Sequence, residues 1–189
     1  MIGRRTIAVP AIIALMMFSG CAAGVMMKAP NSLERPGDSD ATVYFYRNRI
    51  YFGDGRTYNV WDGEKLVGVL AAGSYIPYHT SPGEHVFMAH FENWSYLKAT
   101  LAPGQRYYVN GQLYPGFVQA RVMLLPVTKK NPEDFDKAAA RLNDMNPTMV
   151  RPEDEEGYVA PRREDVRRAL EAFQAGKVES TTLAPEDHD

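Results

Sequence analysis

The sequence predicts a mainly β fold: a small antiparallel β-sandwich or barrel of about eight strands, with a two-helix C-terminal extension. Between residues 41 and 130, short β-branched and aromatic runs alternate with turn dipeptides, as is typical of all-β domains. After Thr128 the apolar residues recur instead at helical spacing. Residues 21–189 are enough for one domain with appendages and too few for two independent cores.

Turn chemistry sets the limits of the predicted strands. Asp62-Gly63 favours a tight hairpin, because glycine accepts the positive φ that such turns need. Pro82-Gly83 and Pro103-Gly104 suit type II turns, in which proline fixes φ and glycine follows. The predicted strands are Thr42 to Arg47, Tyr58 to Asp62, Lys65 to Leu70, Ser74 to His79, Glu84 to Phe91, Ser95 to Leu101, Arg106 to Gln112 and Phe117 to Val127.

Two helices are predicted in the extension, residues 131–189. In the first, Asn131 is a suitable N-cap and Pro132 fits the first helical position. Its apolar stripe contains Phe135, Ala138, Ala139 and Leu142. A loose acidic stretch at 153–156 leads to the second helix, from about Pro161 to Ala175. From Lys177 onward the polar tail is expected to be disordered.

The N-terminal segment has the pattern of a bacterial lipoprotein signal. A basic start, Arg4-Arg5, and the apolar run Thr6 to Phe18 precede Cys21, the only cysteine. A secretion signal that ends in small residues before a cysteine predicts cleavage and lipid attachment at that cysteine. We therefore expect residues 1–20 to be a signal peptide and Cys21 to carry palmitate. The residues predicted to be recognised by the signal peptidase are Phe18, Ser19 and Gly20.

The lipidated residue is expected to lead into a flexible tether, residues 21–40, which is rich in proline, glycine and polar residues. Ala22 stands where an aspartate would favour the inner membrane, so the expected location is the outer membrane, facing the periplasm. An uncleaved transmembrane anchor is the alternative, since Thr6 to Met27 is uncharged and long enough to cross about 30 Å of hydrocarbon. Pro10 weighs against that alternative.

The β region also contains a series of short motifs in a fixed order. They are Tyr44-Phe45-Tyr46-Arg47, Asp62-Gly63, Leu70, Gly73-Ser74-Tyr75, Pro82-Gly83-Glu84-His85 and Gly104-Gln105-Arg106-Tyr107-Tyr108-Val109. In order and spacing these motifs resemble a bacterial lipoprotein domain family called domain of unknown function 2846, over roughly residues 40 to 127. The resemblance implies a small surface β-sandwich on a lipoprotein and assigns no catalytic residue. The C-terminal helices lie outside it.

No catalytic residue, metal site or cofactor is predicted. The sequence has no nucleophile elbow and no phosphate-binding glycine loop. His85 and His90 fall on one predicted strand, where an odd separation points their side chains to opposite faces, so they cannot share a metal ion unless a β-bulge lies between them. The net charge of −2 argues against a nucleic-acid partner, whose phosphates require a basic face.

Aromatic and helical apolar side chains are the best candidates for binding. An exposed ring can stack on a sugar or fill a pocket of a partner protein, although core packing is the commoner role of a strand aromatic. Likewise, the stripe of the second helix either docks on its own domain or contacts a partner. The candidate surface consists of Trp61, Trp94, Tyr107 and Tyr108, with Val166, Leu170 and Phe173 on the second helix.

Three functions are compatible with these features. The first is a membrane-anchored, non-catalytic structural or protein-interaction module of the cell envelope, with the C-terminal helix as a site for an envelope protein partner. The second is a glycan-binding or peptidoglycan-binding module that uses exposed aromatics. The third is a hydrolase whose active site is assembled from residues distant in the sequence. We expect the first function, and therefore no enzyme.

Overall fold

The computed structural model describes residues 22–30, 33, 37–50, 53–116, 120–130 and 132–189. In these residues eleven strands form two open mixed sheets, and α-helices follow in the C-terminal part. The prediction of a mainly β fold with C-terminal helices is confirmed. The sheets do not close into a barrel, and the count of eight strands is not confirmed.

The secondary-structure elements have the following bounds. The strands are β1 (Met26–Lys28), β2 (Ala41–Arg47), β3 (Tyr58–Asp62), β4 (Lys65–Leu70), β5 (Ser74–Thr80), β6 (Gly83–His90), β7 (Trp94–Leu101), β8 (Arg106–Tyr114), β9 (Arg121–Pro126), β10 (Asn146–Val150) and β11 (Thr181–Leu183). The α-helices are α1 (Pro132–Asn143), α2 (Pro152–Val159) and α3 (Arg163–Gln174), and 3-10 helices cover Ala22–Val25 and Ala160–Arg162.

The two sheets form the inner layers of a sandwich. One sheet has the strand order β1-β10-β5-β2-β8-β9 and the other has the order β11-β7-β6-β3-β4. Both are mixed rather than antiparallel, because β2 with β8, β10 with β5 and β11 with β7 pair in parallel. The core between the sheets includes Val43, Phe45, Phe87, Leu97 and Val109.

Helices cover the outer faces of both sheets. Phe135 and Leu142 of α1 pack with Tyr44 and Tyr108 on the outside of the first sheet. Val166 of α3 belongs to a cluster with Trp61, Met88 and Tyr96 on the outside of the second sheet. Every residue of β2 is consequently buried, as expected for a strand that is covered on both faces. The layers run helix, sheet, sheet, helix.

Three short strands account for the difference from the expected eight. β1, β10 and β11 lie at or near sheet edges, and their sequences carry no alternation of apolar and polar residues. They become strands because a neighbouring strand offers them backbone partners. The last predicted strand, Phe117 to Val127, is shorter in the structure and covers Arg121–Pro126; residues 117–119 lie outside the described residues.

The segments expected to be loose are folded on the domain. The acidic stretch at 153–156 lies within α2, and the tail expected to be disordered contains β11, which pairs with β7. Part of the expected tether, residues 21–40, is also folded: β1 pairs with β10, and Val25 and Ala29 are buried. In each case the partner that orders the segment lies far away in the sequence.

A close approach of two strands makes a glycine necessary in β8. A Cβ atom on Gly111 would collide with the hydroxyl oxygen of Tyr58, which is fully buried in the main core. That hydroxyl has no hydrogen-bond partner among the described residues. The side chain of Leu70 lies 3.3 Å from the same Cβ position and leaves little room for a shift.

We expect Gly111→Ala to lower the free energy of unfolding by about 1–3 kcal/mol, since an overpacked core must deform. The measurement is urea unfolding followed by circular dichroism. Gly157→Ala is the matched control, because no atom lies within 4 Å of that Cβ position, inside helix α2. It should leave stability unchanged or raise it by up to about 1 kcal/mol.

Adding Tyr58→Phe to Gly111→Ala removes the atom that collides and should recover part of the lost stability. An equal loss in the single and double variants would show that the Tyr58 hydroxyl is not what excludes a side chain at position 111.

Candidate functional site

The signal-peptide prediction concerns residues that the structure does not describe. Phe18, Ser19, Gly20 and Cys21 all lie outside the described residues, so lipid attachment at Cys21 stays a prediction. Among the helices that are described, none is long and apolar enough to cross a bilayer.

Three of the four candidate binding aromatics are buried. Trp61, Tyr107 and Tyr108 are each at most 2% exposed, which removes them from the candidate surface. Tyr107 faces the core between the sheets, whereas Tyr108 faces α1, so strand alternation places both in an interior. The hydroxyls are also occupied: Tyr107 donates to the carbonyl of Pro185 (2.9 Å) and Tyr108 to the carboxylate of Asp189 (2.9 Å).

The apolar stripe of α3 packs on its own domain. Val166 is buried, and Leu170 and Phe173 are partly buried in the same cluster. The ring of Phe173 stacks on Tyr96, with centroids 5.8 Å apart and planes tilted by 17°. This stripe therefore packs against its own domain, and part of the surface of Leu170 and Phe173 stays exposed.

The outward face of α3 is charged instead. Glu164 pairs with Arg167, and Asp165 pairs with Arg168, in each case across one helical turn. Both ion pairs join residues three apart and lie on the solvent-exposed side of the helix.

Trp94, the remaining candidate aromatic, lines a groove where the edges of the two sheets meet. The groove has a volume of about 280 Å³ and lies between the start of β7, strand β9 and the segment that leads into β11. Trp94 is partly buried there, and Met123, which is 40% exposed, contributes an apolar side chain to the rim. The charged side chains of this groove are Arg121 and Glu179.

The walls of the groove are held by side chains that bind the outer edge of β9. Asn93 accepts a hydrogen bond from the N–H of Val122 (2.7 Å) and donates one to its carbonyl (3.2 Å). The hydroxyl of Ser95 accepts from the N–H of Leu124 (3.0 Å), and the hydroxyl of Thr181 donates to the carbonyl of Leu124 (3.0 Å).

These hydrogen bonds satisfy the outward backbone groups in the middle of β9. An added strand from a partner would have to displace Asn93, Ser95 and Thr181, so this edge is protected from pairing. A ligand in the groove would instead contact side chains. The ring of His90 stacks on the indole of Trp94, with the ring centroids 4.3 Å apart. Burial lowers the pKa of His90 below its ordinary value.

A second polar cluster closes one end of the core between the sheets. The carboxylate of Asp62, at the end of β3, accepts hydrogen bonds from the hydroxyl of Tyr78 on β5 (3.0 Å) and from Nδ1 of His85 on β6 (2.8 Å). Nε2 of His85 donates to the carbonyl of Ser81 (2.9 Å). The Asp62–Tyr78 hydrogen bond connects the two sheets directly.

The surroundings of His85 hold it as a cation. Both ring nitrogens face acceptors, a carboxylate and a carbonyl, so both donate, as only the protonated imidazole can. The hydrogen bond with Asp62 raises the pKa of His85 above its ordinary value, against the opposing effect of burial. A histidine with neither lone pair free is unsuited to proton abstraction or to metal binding. Within the described ranges, no three histidine, cysteine or carboxylate side chains converge as a metal site would require.

Arg47 has a structural role that the sequence reasoning missed. It is 1% exposed, and its guanidinium donates to the carbonyls of Gly53 (2.6 Å) and Arg56 (2.5 Å). Burial lowers the pKa of Arg47 from its ordinary value. Arg47 is separated from Val43 and Phe45 by an even number of positions along β2, so its side chain lies on the same, inner face of the sheet. This spacing could have predicted from the sequence that Arg47 is buried. Arg47 thus orders the loop between β2 and β3.

No family model, no curated protein and no solved structure matches this chain. The resemblance to domain of unknown function 2846 therefore stays a prediction that rests on the order of its short motifs. The structure supplies physical roles for residues within those motifs, such as the buried Arg47 and the hydrogen-bonded His85.

The raised pKa of His85 predicts a stability that declines at alkaline pH. The ion pair with Asp62 contributes fully below the ordinary histidine pKa of 6.5, and this contribution is lost as the pH rises through the higher pKa of the folded state. We expect the free energy of unfolding, measured in urea at a series of pH values, to fall over this window. His85→Gln should abolish the fall.

His90 provides a control of opposite sign. Its pKa is lowered in the folded protein, so its contribution is lost as the pH falls below 6.5, and His90→Gln should alter only that acidic part of the profile. An alkaline decline that persists unchanged in His85→Gln would show that the Asp62–His85 pair is not its cause.

Proposed function

We propose that this protein is a membrane-anchored lipoprotein of the cell envelope whose β-sandwich is a non-catalytic interaction module. The observation that carries the proposal is the position of the only cysteine. Cys21 ends a basic and then apolar segment, and the folded domain begins immediately after it, with the 3-10 helix Ala22–Val25.

The arrangement of polar groups supports a binding role over a catalytic one. His85, which has the strongest hydrogen-bonded environment of the histidines, has no free nitrogen, and the Nδ1 atom of His79 lies 2.9 Å from the hydroxyl of Thr42. No geometry in the part of the chain that the structure describes favours the hydrolase hypothesis. The groove at Trp94 is a preformed concave surface, the shape typical of ligand-binding sites.

The proposed anchor is stable and the proposed location is the outer membrane. Each buried CH₂ of a lipid chain contributes about 0.8 kcal/mol, so the two or more chains of a lipidated cysteine hold the protein permanently. Ala22, in place of an aspartate, supports outer-membrane sorting with the domain in the periplasm.

Replacement of the cysteine tests the anchor. We expect the wild-type chain to incorporate labelled palmitate and to sediment with membranes, and Cys21→Ser to lose the label because no thiol remains. Met123→Cys added to Cys21→Ser is the matched control, since it restores a thiol at an exposed site away from the signal and should not restore the label. Retention of the label together with the membrane fraction by Cys21→Ser would contradict the proposal.

A glycan-binding function is the second candidate, and the groove at Trp94 is the observation that favours it. Trp94 is partly exposed and lines the groove together with Arg121 and Glu179. An aromatic residue beside charged hydrogen-bonding groups suits a sugar with charged substituents. The ligand class that fits is a cell-wall glycan, whose sugars carry carboxylates and amides.

Co-sedimentation with purified cell-wall sacculi tests this candidate. If the groove binds glycan, Trp94→Ala should weaken binding about tenfold, the equivalent of ~1.4 kcal/mol. Tyr114→Ala is the control, because Tyr114 is an exposed aromatic, at 36%, that does not line the groove. Failure of the wild-type protein to sediment with sacculi would rule out the glycan function and leave the interaction module.

A further inference from the structure

The segment that follows Cys21 is docked on the domain by backbone hydrogen bonds. The N–H of Arg151 donates to the carbonyl of Val25 (2.8 Å), and its guanidinium donates to the carbonyl of Gly24 (2.5 Å). β1 then pairs with β10, with Met27 opposite Met149, and the N–H of Ala29 donates to the carbonyl of Pro147 (3.0 Å). Residues 24–29 are thus attached along their whole length.

The side chain of Met26 fixes this segment to the second sheet. Its sulfur accepts a hydrogen bond from the N–H of Val69 (3.3 Å) in β4. Gly68 provides the space, since a Cβ atom there would lie 2.9 Å from the Met26 methyl group and 2.8 Å from Ile76. Met26 therefore joins β1 of one sheet to the outer edge of the other.

This docking sets how far the domain can stand from the lipid. Only Ala22 and Ala23 separate Cys21 from Gly24. Consecutive Cα atoms are 3.8 Å apart, so Cys21 lies within roughly 11 Å of Gly24 even if the chain is fully extended. A flexible tether over residues 21–40 would instead average roughly 22–26 Å.

We propose that the β1 edge of the first sheet is a membrane-contact surface that lies in the lipid headgroup layer. The inference rests on the proposed lipidation of Cys21. The two residues after Met26 suit such a surface: Met27 is 37% exposed, unusually for a large apolar side chain in this protein, and Lys28 beside it is exposed. Methionine can insert between headgroups, while the lysine ammonium binds lipid phosphates.

The charges near the anchor are consistent with this orientation. Three carboxylates lie in the first turn of α2, those of Glu153, Asp154 and Glu155, and the first two pair with Arg151, at 3.8 Å and 2.8 Å respectively. Arg151 reduces the repulsion of these two from anionic lipid, Glu155 is partly buried, and Lys28 is the exposed charge on β1 itself. The partner of this edge is therefore a phospholipid surface.

A pair of labelled methionine sites tests the orientation. Met27 and Met123 have similar exposure, at 37% and 40%, and lie on the two opposite edge strands of one sheet. Five strand spacings separate those strands, or about 24 Å. Because lipidation consumes the only natural thiol, Met27→Cys and Met123→Cys each introduce a single reactive cysteine for a bimane fluorophore.

The full-length variants would be expressed with their signal, purified as mature protein and placed in vesicles of phosphatidylethanolamine and phosphatidylglycerol that contain a headgroup-depth spin-labelled lipid. We expect quenching of bimane at position 27 to exceed that at position 123 at least twofold. Equal quenching at the two positions, or none at either, would overturn the inference.

A second variant tests whether the short connection to Cys21 holds the β1 edge at the membrane. It carries about twelve glycine and serine residues inserted between Ala23 and Gly24. This linker restores roughly 19 Å of flexible reach, so quenching at position 27 should fall to the level found at position 123. Unchanged quenching with the linker would show that the side chains of the β1 edge bind lipid without the short connection to Cys21, which also supports the assigned surface.

The intact mass of each sample shows separately whether the protein is lipidated. A lipidated protein without quenching contradicts only the inference. An unmodified Cys21 contradicts both the proposed function and the inference.

Discussion

The structure depends on covering both faces of both sheets. In β8, Tyr107 packs between the sheets while its neighbour Tyr108 packs under α1, so adjacent residues of one strand belong to different interiors. The second sheet shows the same alternation, because Phe87 faces the core between the sheets and its neighbour Met88 faces the layer under α3. The helices are consequently part of the fold, because without them a row of tyrosine and tryptophan side chains would be exposed to water.

The sheet edges are closed by segments and side chains that lie far apart in the sequence. At one edge Asn93, Ser95 and Thr181 bind the outer side of β9, and at the other Met26 reaches from β1 to Val69. The hydrogen bonds on β9 protect that edge from pairing with other chains. The closures at the two edges also shape the two surfaces with proposed functions, since the first makes the groove at Trp94 and the second holds the chain beside the predicted anchor.

Much of the fold was predictable from local chemistry. The turn glycines and the β-branched runs located the strands from β2 to β8 to within about two residues, and the apolar stripes located α1 and α3. The strands β1, β10 and β11 were not predictable in this way, because their backbone partners come from elsewhere in the chain. Helix α2 was missed because its Glu-rich sequence has only Val159 buried, so no apolar stripe marks it.

The candidate sites also differ in whether neighbouring or distant residues determine them. By itself the sequence determined the mainly β character and the turn positions, and it is the sole basis of the lipoprotein prediction, because each depends on residues that are neighbours in the chain. Only the tertiary structure decided that Trp61 and Tyr107 are buried while Trp94 lines a groove, and that the residues after Cys21 are docked. Exposure depends on which layer covers a face, and that layer is contributed by residues far away in the sequence.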